Sequence, residues 1–187
     1  MYQAWSVIAG EQPTTSKWNI LGTNDAAFND GSGIVNAPAN PYQAAAKRTT
    51  AQTNIANQTT TKVQLSSEDY DTNNNFDSST NYRYTVPVSG KYKVNWNLPF
   101  VDPEGRLTNV VAFIYKNGSE LLRCGLTCPA IINIAAYLCL NGSRDIPLTA
   151  GDYIELWGYG STDNSTVFDF CDSNNHAWLS ARLESQA

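Results

Sequence analysis

The sequence predicts an all-β protein: an antiparallel sandwich of the jelly-roll type with an extended N-terminal arm. From Thr61 onward, apolar and polar residues alternate with the period of two that is typical of half-buried strands. Turn dipeptides divide this part of the chain into about eight strands, at the regular spacing of a sandwich or jelly roll. Only 16% of the residues are charged, and no run with helical periodicity competes with the strands.

The first predicted strands alternate strictly. Val63 and Leu65 share one face of the first strand. Residues 82–88 and 91–98 follow the same rule, and Gly90 between them is predicted to allow a tight turn. Residues 110–115 are apolar on both faces, which favours a central strand.

Turn signals bound the later strands. Asn117-Gly118 predicts a tight hairpin turn, and Asn141-Gly142 is predicted to end a strand. Residues 149–152 form a further predicted turn. The later predicted strands contain residues 132–140, 154–156, 167–171 and 177–183.

Residues 1–60 are predicted to form an anchoring arm and linker, and residues 61–187 a head domain. The first part contains several prolines and little alternation, so it could not readily bury enough surface to fold alone. Residues 42–46 could form a short helical turn, and residues 49–61 are interpreted as a polar connector.

Composition excludes several classes of function. The net charge of −5 and the pI near 4.7 argue against binding to nucleic acid or to an anionic membrane. No stretch approaches the roughly 18 to 20 apolar residues of a membrane span, so membrane insertion is not expected. The first ten residues lack the basic and apolar regions of a signal peptide, which predicts synthesis and assembly in a cytoplasm.

No catalytic constellation is marked, and the protein is predicted not to be an enzyme. His176 is the single histidine and is expected to face solvent in a loop. Asp152 with Glu155, or Asp169 with Asp172, could supply the two carboxylates of a glycosidase, but their spacing does not mark them.

The four cysteines are interpreted first as small hydrophobic residues. Cys124 and Cys128 could bridge a turn if oxidised, and Cys139 lies within a predicted strand. Together with Cys171 they could suggest zinc, but the usual spacing of two residues between ligands is absent. No metal or cofactor is therefore predicted.

An acidic stretch, Asp69-x-Asp71-x-Asn73-x-Asn75-x-Asp77, imitates a calcium loop. An EF-hand has Gly at the sixth position and Glu at the twelfth, where this chain has Asn74 and Thr80. A turn-rich loop is the preferred interpretation, and calcium binding stays open as the alternative.

Tyr84-x-x-Pro87-x-x-Gly90-x-Tyr92-x-Val94 resembles the central signature of the complement C-one-q globular head family, relatives of tumour necrosis factor. The resemblance covers residues 61–185. Its other segments follow in the family's order at residues 62–65, 69–77, 113–118, 148–156 and 177–183. The resemblance implies a ten-stranded jelly roll that forms a homotrimer through one sheet. It also implies which strands form this inner sheet: residues 62–66, 91–98, 131–140 and 177–184.

Residues 5–34 resemble a leader found in tail, fibre and decoration proteins of bacteriophages. Trp5, Trp18 and Phe28 within it are costly to leave in water, so the arm is expected to dock on another virion protein.

The two resemblances together predict a bacteriophage virion structural protein, assembled in the bacterial host cytoplasm. The expected role is a trimeric fibre, tail-tip or head-fibre head domain that binds a glycan or protein of the host surface. Trp157 and Tyr159 are candidates for stacking on sugars, although the ligand-binding residues are otherwise unknown. The alternatives are a capsid or tail decoration protein with no ligand and, ranked last, a polysaccharide-degrading tail spike.

Overall fold

The computed structural model describes residues 42–102, 104–127, 137–172 and 174–186. The predicted arm up to residue 41, including the leader, and residues 128–136 of the predicted strand at 131–140 lie outside the described residues. Among the described residues there is no helix that could span a bilayer.

The described residues form antiparallel strands throughout, which confirms the all-β prediction. The strands are β1 (Gln43–Arg48), β2 (Gln52–Ile55), β3 (Thr61–Lys62), β4 (Ser67–Asp71), β5 (Phe76–Asp77), β6 (Arg83–Thr85), β7 (Gly90–Val101), β8 (Leu107–Lys116), β9 (Ser119–Thr127), β10 (Tyr137–Leu148), β11 (Tyr153–Thr162), β12 (Phe168–Phe170) and β13 (Ala177–Gln186).

Two sheets form a sandwich. Sheet A has the order β2-β12-β7-β13-β1-β4, with β10 paired to the other edge of β7. Sheet B has the order β5-β6-β11-β8-β9, with β3 paired to β11. Non-consecutive strands are neighbours in both sheets, as a jelly roll requires.

The core lies between the sheets and is built from the alternating residues of the long strands. Tyr84 from sheet B and Tyr92 from sheet A are fully buried, with ring centroids 6.1 Å apart. At the other end of β7, Phe100 meets Phe168 and Phe170 of β12 at 6.1 and 5.4 Å. Aromatic pairs at such distances stabilise the fold by more than their buried area alone would contribute.

Several predicted elements are confirmed. β8 lies between β11 and β9, as expected for a strand that is apolar on both faces. Asn117 and Gly118 both have positive φ, 52° and 78°, as a tight primed turn between β8 and β9 requires. Gly151 adopts a positive φ of 89° in the predicted turn before β11.

The predicted helical turn at residues 42–46 is wrong, because these residues begin strand β1. Ala44 and Ala46 are buried in the core, and β1 pairs with both β13 and β4. The predicted connector at residues 49–61 also contains β2, which pairs with β12. The compact unit therefore starts at Tyr42, rather than at the predicted boundary of residue 61. Small alanine side chains give no alternating signal, so only pairing to β13 identifies this strand.

The assignment of residues 62–66 to the inner sheet is also wrong. β3 is short and pairs with β11 of sheet B, opposite Trp157 and Gly158. Strands β7 and β13, and the described residues 137–140 of β10, do belong together in sheet A, as the resemblance implied.

Two turn predictions fail for reasons of packing. Asn141-Gly142 does not end a strand, because β10 pairs with β7 along its whole length, and Gly142 lies opposite Trp96. Gly90 is not in a turn but begins β7, where a Cβ atom would lie 2.4 Å from the carbonyl oxygen of Ser185. Close approach of two backbones, rather than an unusual φ, explains the glycine at position 90.

Candidate functional site

The open face of sheet A, directed away from the core, carries a row of side chains across three strands. Ser143 donates a hydrogen bond to Asn95 Oδ1 at 2.6 Å, and Asn95 Nδ2 donates to Ser180 Oγ at 3.1 Å. These residues face one another in the register of β10, β7 and β13. The row fixes both ends of the Asn95 amide before any partner binds.

A second set of hydrogen bonds lies beside the first. The Cys139 thiol donates to Asn97 Oδ1 at 3.0 Å, and Asn97 Nδ2 donates to the backbone carbonyl of His176 at 3.0 Å. Burial raises the pKa of the Cys139 thiol, so the sulfur is protonated at neutral pH and is not an activated nucleophile.

A shallow hollow of about 510 Å³ opens on this face. It lies between the hydrogen-bonded amides, and Trp178 of β13 forms part of its wall. Trp178 is 36% exposed, and Tyr137 and Tyr70 on the same face are 38% and 46% exposed. The open face of sheet A therefore combines an uncharged polar centre with three exposed aromatic side chains.

The open face of sheet B carries an aromatic cluster instead. The rings of Tyr115 and Trp157 are stacked, with centroids 4.9 Å apart and planes at 21°. Phe113 meets Tyr115 edge-on at 5.9 Å. Arg123 lies over the Phe113 ring at 5.6 Å, and Lys62 lies over the Trp157 ring at 5.3 Å.

Trp157 was a predicted sugar-stacking residue, but its ring already contacts Tyr115 and Lys62. Its indole N–H also donates to Glu155 Oε2 at 3.0 Å. These contacts fix the indole as part of the sheet surface. Tyr159 is half-buried two residues further along β11.

The predicted carboxylate pairs serve the structure of turns and strands. Glu155 is buried and lies 2.6 Å from Lys62 Nζ. Burial alone would raise the pKa of Asp152, but hydrogen bonds from Lys116, the Thr149 amide and Asn117 outweigh it and lower that pKa. Each carboxylate of this pair is held by donors of its own protein.

The second pair is engaged in the same way. The Asp169 carboxylate accepts a hydrogen bond from the Asn54 amide at 3.0 Å. The Asp172 carboxylate accepts from the amides of Asn174 and Asn175 at 2.7 Å, and these bonds lower its pKa. His176, expected to face solvent, is only half-exposed.

The acidic stretch does not converge on one point. Asp69 pairs with Lys47, while Asp71 accepts hydrogen bonds from the amides of Asn73 and Phe76. The carboxylate of Asp77 accepts from three successive amides, at residues 79, 80 and 81. These are Asx-type turns, and no group of three or more metal ligands occurs in the described part of the chain.

The three described cysteines differ in burial and belong to no group of three or more metal ligands. Cys171 is buried, Cys124 is half-buried and Cys139 is exposed, and all three have free thiols. Cys128 lies outside the described residues. The interpretation as a small hydrophobe fits Cys171, whose thiol donates to the Thr50 carbonyl at 3.0 Å.

Sequence reasoning missed the hydrogen-bonded amides of sheet A. The alternating pattern marks Asn95 and Asn97 only as the polar half of a strand. Two asparagines spaced two apart on a central strand are the signal that could have marked them, because such side chains share one face.

No family model matches the chain, and no curated protein matches it either. Solved structures do match the chain. The globular domain of zebrafish complement 1qA protein has a TM-score of 0.57 at 13% identity, with 78% of this chain and 98% of that chain covered. The tumour necrosis factor Eiger from S. frugiperda has a TM-score of 0.57 at 10% identity, with 78% and 95% covered. The fold is therefore the jelly roll shared by the complement globular heads and tumour necrosis factors.

Proposed function

We propose that this chain is a virion structural protein of a bacteriophage, in which the jelly roll forms a homotrimeric head that binds the host surface. The residues before Tyr42 anchor this head to another virion protein. The resemblance of residues 5–34 to phage leaders supports the virion role, and the fold supports a trimer.

The observation that carries the trimer is the open face of sheet A. Three of the six large hydrophobic side chains that are exposed in the described residues, Tyr70, Tyr137 and Trp178, lie on this one face. Aromatic residues are enriched in protein interfaces and are costly to leave in water. A second copy of the chain is therefore the partner that this face fits.

A closed three-fold ring needs two different patches that fit one another, because its interfaces are heterologous. The edge formed by β9 and β10 supplies the second patch. Leu121 and Leu126 of β9 are 38% and 43% exposed there. Packing this edge against sheet A of the next copy would cover both patches and the free edges of β9 and β10.

The mass of the full chain in solution tests the trimer. Light scattering behind a sizing column should give about three times 20.5 kDa. A stable monomer at micromolar concentration would contradict the proposal.

Adsorption of the fluorescently labelled full chain to a panel of bacterial isolates tests host binding. Saturable binding to some isolates and not to others is expected. A trimer that binds none of them would refute the host-binding role and leave the role of decoration protein.

A further inference from the structure

One arginine on the open face of sheet B is stacked but unpaired. The guanidinium of Arg83 lies 4.2 Å from the centroid of the Tyr153 ring, and both side chains are half-buried. In the described part of the chain this guanidinium makes no ion pair and no hydrogen bond. Stacking on an aromatic ring orients the planar guanidinium and leaves its N–H edge available to a ligand.

The other cations of this face are neutralised by carboxylates. Lys62 pairs with Glu155 at 2.6 Å, and Arg123 pairs with Glu120 at 2.6 Å. At the end of β8, Lys116 pairs with Asp152 at 2.7 Å. Arg83 is therefore the cation of this group whose charge is not matched within the described residues.

The carboxylate that lies opposite Arg83 in the register of β5 and β6 is already occupied. The backbones of Asp77 in β5 and Arg83 in β6 lie opposite each other in the sheet. Its oxygens accept hydrogen bonds from the amides of residues 79–81 and from Asn81 Nδ2. These hydrogen bonds direct the Asp77 carboxylate to its own turn, and Asp77 and Arg83 form no ion pair among the described residues.

Aromatic side chains continue from this arginine across the face. Tyr153, Tyr115 and Trp157 are half-buried. Tyr115 and Trp157 stack on each other, the Glu155 hydrogen bond holds the indole, and Tyr153 contacts Arg83. Rigid rings beside a single oriented charge make a preorganised surface, because few side-chain rotations are lost on binding. Sugars match such a surface, since they present apolar ring faces next to polar substituents.

We propose that Arg83, held on Tyr153, binds the carboxylate of an acidic sugar in a host surface polysaccharide. The planar carboxylate accepts two parallel N–H bonds from the guanidinium, and its single charge matches the single unmatched cation. A phosphodiester also carries one charge and can accept the same two N–H bonds, so the choice of an acidic sugar rests on the aromatic rings beside Arg83, which suit the apolar faces of sugar rings. The inference rests on the proposed host-binding function and adds the site and the chemical class of ligand. In a trimer formed through sheet A, this face points away from the interface.

The test measures binding of the full chain to immobilised oligogalacturonate, with its methyl ester as the uncharged ligand control. Arg83→Ala should weaken binding to the acid about 10- to 100-fold, the range expected for a charge-assisted hydrogen bond. Arg83→Lys keeps the positive charge but loses the two parallel N–H donors of the guanidinium, and should weaken binding less than Arg83→Ala does. Arg144→Ala is the charge control, because Arg144 is exposed and has no partner among the described residues, but lies on β10 of sheet A. Light scattering on this variant checks that the trimer is kept, since β10 belongs to the proposed interface.

Each of the following outcomes would overturn the inference. Equal binding to the acid and the methyl ester would remove the role of the carboxylate. Equal losses of affinity in Arg83→Ala and Arg144→Ala would show that the acid is attracted by the positive charges in general and not by a site at Arg83. Tighter binding of a glycerol-phosphate oligomer would show that the ligand is a phosphate polymer and not an acidic sugar. If the trimer forms and adsorbs to bacteria but does not bind oligogalacturonate, this inference fails and the proposed function stands. If the chain adsorbs to no bacterial isolate, the proposed host-binding function itself is refuted.

Discussion

Glu155 and Lys62 form an ion pair on the open face of sheet B, with 2.6 Å between Oε1 and Nζ. The glutamate side chain is only 4% exposed, whereas the lysine is 29% exposed. The pair joins the short strand β3 to β11, and the other glutamate oxygen orients Trp157. The geometry thus couples the position of residues 61–62 to the aromatic cluster.

Removing the lysine should be costly because it leaves a buried carboxylate without its counter-ion. Lys62→Met is expected to lower the free energy of unfolding by about 2–3 kcal/mol, reduced from the fully buried case by the exposure of Lys62. The double variant with Glu155→Gln should lose less than the sum of the single changes. Urea unfolding measures both, and Lys91→Met is the control, since its pair with Asp145 is exposed and 4.0 Å long. Strict additivity would contradict the coupling.

Gly142 is required by Trp96. A Cβ atom at position 142 would lie 2.2 Å from the indole ring, and the core leaves the ring little room. Gly142→Ala should cost about 1–3 kcal/mol of unfolding free energy through overpacking. Gly125→Ala is the control, because its Cβ would meet Val111 at an ordinary 3.4 Å. Thermal unfolding of both variants checks the prediction, which equal melting temperatures would refute.

Asp77 should make stability depend on pH. The amide of Thr80, followed by Asn81, lowers the pKa of Asp77 well below its ordinary value of 3.8. A group with a lowered folded-state pKa stabilises the fold above its unfolded pKa. This contribution is lost as the pH falls through the folded value. Asp77→Asn should therefore be less stable than the wild type at pH 7, with a gap that narrows below about pH 4.

Denaturant unfolding at pH 7 and pH 3 measures this effect. Asp145→Asn removes a carboxylate that is 47% exposed and serves as the control. A gap between Asp77→Asn and the wild type that stays constant from pH 7 to pH 3 would disprove the role of the carboxylate.

Trp178 should determine the oligomeric state. Trp178→Ser is expected to shift the full chain from trimer toward monomer at micromolar concentration, because it removes a central aromatic contact of the proposed interface. Val167→Ser is the control, since Val167 is 48% exposed but does not belong to either proposed patch. Light scattering on both variants decides the point. An unchanged mass for Trp178→Ser, or an equal loss in both variants, would count against sheet A as the interface.

The long strands of the sandwich were predictable because each carries its own pattern. β7, β8, β11 and β13 alternate or are apolar on both faces, and burial follows that pattern in the structure. The turn at Asn117-Gly118 was equally predictable, since its two positive φ angles suit asparagine and glycine.

The sequence by itself determined the all-β class, the main strands and the tight turns, because period and local backbone preference are properties of neighbouring residues. Only the tertiary structure decided that Ala44 and Ala46 form a core strand, and that Gly142 is needed beneath Trp96. It also decided which cations are matched and that Arg83 is left with an aromatic partner alone among the described residues. These features depend on residues distant in the chain, and pairing, close approach and charge neutralisation arise only when the fold brings such residues together.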